Sequence, residues 1–249
     1  MNYFYGFFGL LIILILTDIL GYLIRFRLSG IKALYELVFL DIGYRKQAGS
    51  IGKSSDHKTI LIVGDSTAVG PGAPPEETIG GRIAKNFDID VINLAVNGAT
   101  TEDIIRQIDG VSGQRFFMTI VHAGNNDIWR LTNLKKLKGD ITLLLDEAKK
   151  ISEKVILFRG GNIGSCPFFP LTIGWVYSIR SKKVRELFKR VAEEKSVLYV
   201  EKFMKRREDV FLKDPHRFYC WDLLHLNGNG YKVWFDYLLE EMKKAGISF

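Results

Sequence analysis

"LIVGDSTAVGPGA", residues 61–73, is the stretch on which the fold reading turns. The apolar run "TILIVG" (59–64) has the length and composition of a fully buried strand. It ends on Gly64-Asp65-Ser66, a small polar turn with a hydroxyl where the backbone has to bend. Turn chemistry alone accounts for Gly, Asp and Ser. A nucleophile presented at a strand tip has the same sequence, so the decision rests on the rest of the chain.

Outward from this stretch, strand-length apolar runs recur at 91–95, 116–124, 154–160 and 196–201. Amphipathic segments at 79–87, 101–109, 134–153, 174–195 and 229–245 separate or follow them. Thr100 and Asp103 give the second of these segments a capping-box start. Buried strands alternating with helices predict an α/β fold with a parallel sheet covered on both faces. Ligands in such sheets sit beyond the carboxyl ends of the strands. The residues there are Gly64-Asp65-Ser66, Asn97-Gly98 and Gly124-Asn125-Asn126-Asp127, all glycine or polar. The turn after Gly64 has no lysine for a P-loop and no G-x-G-x-x-G, which excludes both phosphate-cradling readings.

A serine nucleophile needs a base, and the base needs an orienting carboxylate. Of four histidines, His57 lies in a polar linker, His122 in an apolar run and His216 in "KDPHRF". His225 follows Asp222 by three residues just before a helix start, so Asp222 can take its Nδ1–H and leave Nε2 for a serine. An isolated D-x-x-H also serves as a helix-capping loop. Acyl transfer further requires donors aimed at the developing oxyanion. The Ser66 N–H, the Gly98 N–H and the Asn126 side-chain amide are the candidates, with Asn97 and Asn125 beside them as turn residues or alternatives.

Gly64-Asp65-Ser66, Gly98, Gly124-x-Asn126-Asp127 and Asp222-x-x-His225 occur in the order of the four blocks of the SGNH (GDSL-type) hydrolases, and the resemblance spans about residues 60–231. It implies a three-layer α/β/α sandwich around a five-stranded parallel sheet, with no cofactor and no metal. It implies Ser66 as nucleophile, His225 as general base and acid, and Asp222 as its orienting carboxylate. Ser66, Gly98 and Asn126 would form the oxyanion hole. Asp65 and Asp127 are read as structural supports. Many members carry D-G-x-H-P in the last block, whereas Leu223 and Leu226 stand here in the Gly and Pro places.

The N-terminus is a different material. "YFYGFFGLLIILILTDILGYLI" (3–24) has about the ~20 apolar residues of a membrane span. Without a basic n-region or a cleavage site it reads as an uncleaved anchor rather than a signal peptide. Arg25, Arg27, Lys32, Arg45 and Lys46 follow the span and no basic residue precedes it, which places the catalytic domain on the cytoplasmic side. The expected organisation is a single-pass membrane anchor helix over 1–27, a juxtamembrane helix and linker over 28–57, and a hydrolase domain over 58–249.

The net charge of +7 suits an anionic neighbour, and with no nucleic-acid motif a membrane surface fits better than a nucleic acid. Cys166 and Cys220 are read as free thiols, pairing only in an oxidising compartment. The apolar segment 161–183, with Phe168, Phe169, Leu171, Trp175 and Tyr177, is either core packing or an acyl-chain pocket. The expected activity is hydrolysis of a small-molecule or lipid acyl ester, such as a lysophospholipid or an acyl thioester. Removal of acetyl groups from a carbohydrate is the alternative within the enzyme class, and a catalytically silent membrane-anchored binding module is the alternative from another class.

Overall fold

The structure, a computed structural model, describes residues 9–22, 50–51, 58–203 and 209–249. The run at 59–64 is strand β2 (Thr59–Gly64), flanked in the sheet by β3 (Asp90–Asn93) and β4 (Phe116–His122). Beyond β4 lie β5 (Ser152–Arg159) and β6 (Leu198–Glu201), and these five strands are all parallel. A short strand, β1 (Ser50–Ile51), adds an antiparallel edge to β3 inside the stretch read as linker, so the sheet has six strands in the order β1-β3-β2-β4-β5-β6.

Side chains of β2 alternate between two cores, as the period of a strand requires. Leu61 and Val63 face one apolar cluster, which includes Ile104 of helix α4 (Thr101–Asp109), Leu144 of α6 (Leu134–Ile151) and Phe188 of α7 (Leu171–Glu194). Ile60 and Ile62 face the other, with Ile83 of α3 (Ile79–Phe87) and Tyr231 of α10 (Gly228–Lys244). This is the expected three-layer α/β/α sandwich. The Thr100–Asp103 capping box forms at the start of α4. Strand order reverses at β3-β2-β4, which opens a crevice at the carboxyl ends of those strands.

The single-pass membrane anchor is not supported. No helix among the described residues is long and apolar enough to cross a membrane. Among the described residues, 9–22 are helical and form α1. Asp18, near its end, binds protein: its carboxylate accepts from the Leu171 N–H at 3.2 Å, the Thr172 N–H at 2.7 Å and the Thr172 hydroxyl at 2.8 Å. The sidedness inferred from the flanking charges falls with the anchor. Those basic residues, all of the 28–57 segment but residues 50–51, and with it His57, lie outside the described residues.

Candidate active site

The turn after β2 is held from several directions. A Cβ on Gly64 would lie 2.6 Å from the His122 carbonyl oxygen, so the position demands glycine. Gln107 of α4 clamps the backbone of the same residue on both sides, accepting from the Gly64 N–H at 2.8 Å and donating to its carbonyl at 3.0 Å. Buried Asp65 caps the one-turn helix α2 (Ser66–Val69) by accepting from the Thr67 N–H at 2.9 Å. Its Oδ1 also lies 3.1 Å from Nδ1 of buried His122, the residue that pairs with Gly64 across the sheet. Ser66 is the first residue of α2, so its N–H has no partner within the helix.

The second half of the site comes from the loop before α10. A bridge between Tyr219 and Leu226, with the Cys220 N–H donating to the His225 carbonyl at 2.8 Å, closes the intervening residues into a tight loop. Inside it, Asp222 Oδ1 accepts from the backbone N–H of Leu224 at 2.9 Å and of His225 at 2.8 Å. Asp222 Oδ2 lies 2.5 Å from His225 Nδ1, and His225 Nε2 lies 2.9 Å from Ser66 Oγ. Burial pushes the Asp222 carboxyl upward, but the His225 hydrogen bond and charge, with the other donors, outweigh it and hold it below its ordinary value. The three residues singled out from sequence therefore meet in one hydrogen-bonded line, although Ser66 and His225 are 159 positions apart.

The same loop explains the missing glycine. Leu223 adopts a φ of +58°, the left-handed conformation that glycine tolerates best. Left-handed backbone costs a non-glycine residue about 1–2 kcal/mol. Leu223 is also only 4% exposed and packs in the core beside α10, and emptying such a leucine site costs about 2–5 kcal/mol. Burial is the larger effect. Leu223→Gly is therefore expected to destabilise the chain by about 1–3 kcal/mol despite relieving the strain, read as a lower urea midpoint at unchanged slope.

Gly98 and Asn126 reach the site from the ends of β3 and β4. Gly98 has a φ of +77° and nothing within 4 Å of where a Cβ would stand. Glycine is thus required there for backbone conformation, not for lack of room. The Asn126 amide donates one N–H to the Ala99 carbonyl at 3.0 Å, and an amide carries a second. Asn97 and Asn125 line the same cavity. Asp127, 1% exposed, accepts from the N–H of Thr101 at 2.9 Å and from its hydroxyl at 2.7 Å, which ties α5 (Asn125–Trp129) to the start of α4.

Ser66 and His225 open into a cavity of about 250 Å³. Its lining combines four asparagines, Asn97, Asn125, Asn126 and Asn162, with apolar and aromatic residues that include Phe211, Tyr219, Leu226 and Trp234. The 161–183 segment divides its roles. Ile163 and Cys166 line the cavity, and Phe169 is buried against Trp129 and Tyr177. Leu171, Trp175 and Val176 are exposed on α7. Cys166 and Cys220 are both free, and burial pushes the Cys166 thiol up to about 12. Among the described residues no group of acidic, histidine or cysteine side chains could hold a metal.

Several supports escaped the sequence reading. Gln107 has no signal of its own in an amphipathic helix. His122 could have been found from register, since parallel pairing sets it beside Gly64. Buried Arg159 and Glu201 pair at the ends of β5 and β6, and their register predicts that contact too.

Comparison with protein families matches residues 62–233 to the GDSL-like lipase/acylhydrolase family. Comparison with curated proteins gives no match. Among solved structures, the psychrotrophic esterase EstA from Pseudoalteromonas sp. is similar at 20% identity and a TM-score of 0.56, covering 76% of this chain and 98% of its own. A member of the lipolytic protein G-D-S-L family from Veillonella parvula DSM 2008 is similar at 19% identity and a TM-score of 0.57, covering 73% and 96%. A catalytic mutant of Axe2, an acetylxylan esterase from Geobacillus stearothermophilus, is similar at 21% identity and a TM-score of 0.54, covering 77% and 95%. At these identities the structural likeness shows a common fold.

Proposed function

The chain belongs to the GDSL-like lipase/acylhydrolase family, hydrolases of ester bonds, and on that premise we propose that it cleaves lipid-like acyl esters with Ser66, His225 and Asp222 as a catalytic triad. The observation that carries this reading is the unbroken line from Asp222 through His225 to Ser66, with contacts of 2.5 and 2.9 Å. The hydrolase unit is residues 58–249.

In this mechanism Ser66 Oγ attacks the ester carbonyl while His225 Nε2 takes its proton. The N–H groups of Ser66 and Gly98 and the Asn126 amide stabilise the oxyanion. Collapse of the tetrahedral intermediate breaks the bond to the leaving alcohol, which receives the proton from His225. Water then attacks the acyl-serine, giving its proton to His225, and the acid leaves with Ser66 restored. Asp222 holds the imidazole so that Nε2 is the accepting nitrogen. The apolar and aromatic lining residues Phe211, Tyr219, Leu226 and Trp234 favour a lipid-like acyl ester, such as a lysophospholipid or an acyl thioester, over an acetylated carbohydrate, which would call for a shallow polar pocket.

The test is hydrolysis of p-nitrophenyl esters from acetyl to palmitoyl by the full chain, together with labelling by a serine-directed phosphonate. EstA was itself solved inhibited by monoethylphosphonate. Turnover that rises with acyl length and one phosphonate adduct on Ser66 are expected. A maximum at acetyl would transfer the reading to a carbohydrate esterase. A folded chain with neither turnover nor adduct would leave a binding module.

A further inference from the structure

A second cavity, of about 410 Å³, lies against the catalytic one. Cys166 lines both. On the far side of Cys166 the walls are mostly apolar: Pro167, Phe169 and Leu171 from the segment leading into α7, and Leu212 and Pro215 from α8 (Val210–Lys213) and α9 (Pro215–Phe218). The polar part of the lining is Asp18 and Tyr22 from α1 and His216 from α9.

The α1 part of the lining is fastened. Pro170, the residue before α7, gives the helix no side-chain cap. Asp18 supplies the cap from more than 150 positions away, through the Leu171 and Thr172 N–H groups and the Thr172 hydroxyl. The rest of α1 suits an apolar setting. The Thr17 hydroxyl is turned back onto the Ile13 and Leu14 carbonyls at 2.9 and 3.0 Å, so it needs no water. The latch thus holds α1 against a cavity that shares Cys166 with the one that contains the nucleophile.

We propose that this second cavity is a distal acyl-chain site: the tail of a long-chain ester passes Cys166 and lies between the 166–171 segment and α1, with the Asp18–Thr172 latch holding the outer wall. The inference rests on the acyl-ester reading above, and it assigns α1 a part in chain-length selection. Cys166 suits the passage because its side chain is small and its thiol, with the pKa raised by burial, stays neutral beside a hydrocarbon chain.

The experiment measures kcat/KM of the full chain for p-nitrophenyl butyrate and palmitate, both below their critical micelle concentrations. Leu212→Trp fills the distal cavity, and Asp18→Ala releases its wall. Each is expected to lower the palmitate-to-butyrate ratio at least tenfold, with circular dichroism confirming a folded chain. A ratio within twofold of the unaltered chain in both variants overturns the proposal. Failure of the hydrolase reading is distinguishable, because a folded chain would then turn over neither ester. The distal site would in that case be judged by equilibrium binding of palmitate to the full chain. Binding weakened at least tenfold by Leu212→Trp upholds the site, and no binding, or binding unaltered by the variant, overturns it.

Discussion

Ser66→Ala is expected to lower kcat for p-nitrophenyl butyrate by about 10⁶-fold, which removes detectable turnover. The size follows from the position of the hydroxyl. Ser66 Oγ stands 2.9 Å from His225 Nε2, at the mouth of the cavity that both residues line. Removing one oxygen leaves the capping of α2 by Asp65 and the clamp of Gln107 on Gly64 in place. Stability should therefore change by less than about 0.5 kcal/mol, and ester binding should survive because the cavity walls are intact. Active-site titration with a phosphonate gives an independent check, with one equivalent bound by the unaltered chain and none by the variant. Turnover within tenfold of the unaltered chain would remove Ser66 from the mechanism.

Much of this site was legible because parallel α/β topology gathers the ends of strands onto one edge. Ser66, Gly98 and Asn126 each follow an apolar run, so the sequence order of the runs was enough to bring them together. Asp222 and His225 were legible for a different reason: three residues apart in one loop, they meet by local geometry. Their approach to Ser66 is a tertiary fact that the four-block resemblance implied and that spacing could not supply. The supports were less visible. A clamp such as Gln107 depends on which face of α4 meets the end of β2, and composition carries no trace of that. The φ of +77° that makes glycine necessary at Gly98 is likewise a backbone fact with no trace in composition. The N-terminal reading failed on Asp18. The reading of 3–24 as a span leaves a carboxylate inside an apolar run with no partner, whereas Asp18 caps α7. Only the tertiary structure offers that partner.

Asp222→Asn should reduce kcat by about 10⁴-fold with KM little changed, and the reason is a tautomer. Asp222 Oδ1 already accepts from the Leu224 and His225 N–H groups and from the Cys220 thiol, so an amide would keep its oxygen there. Its NH₂ would then face His225 Nδ1, which must become an acceptor. The ring proton moves to Nε2, which donates to Ser66 Oγ and can no longer take the serine proton. Glu in the same place would restore the charge but lengthen the arm, so Asp222→Glu should recover only part of the loss. The stability of the two chains should also diverge with pH in a defined direction. The Asp222 carboxyl is held below its ordinary 3.8 in the folded chain, so its contribution is complete above about 3.8 and is lost as pH falls through the lower folded value. The amide has no such titration. Thermal melting should therefore show the largest gap between the unaltered chain and Asp222→Asn at neutral pH, narrowing only below about pH 4. A gap that already closes between pH 5 and 7 would mean that another group carries the effect and that the carboxylate is not held by His225 in solution.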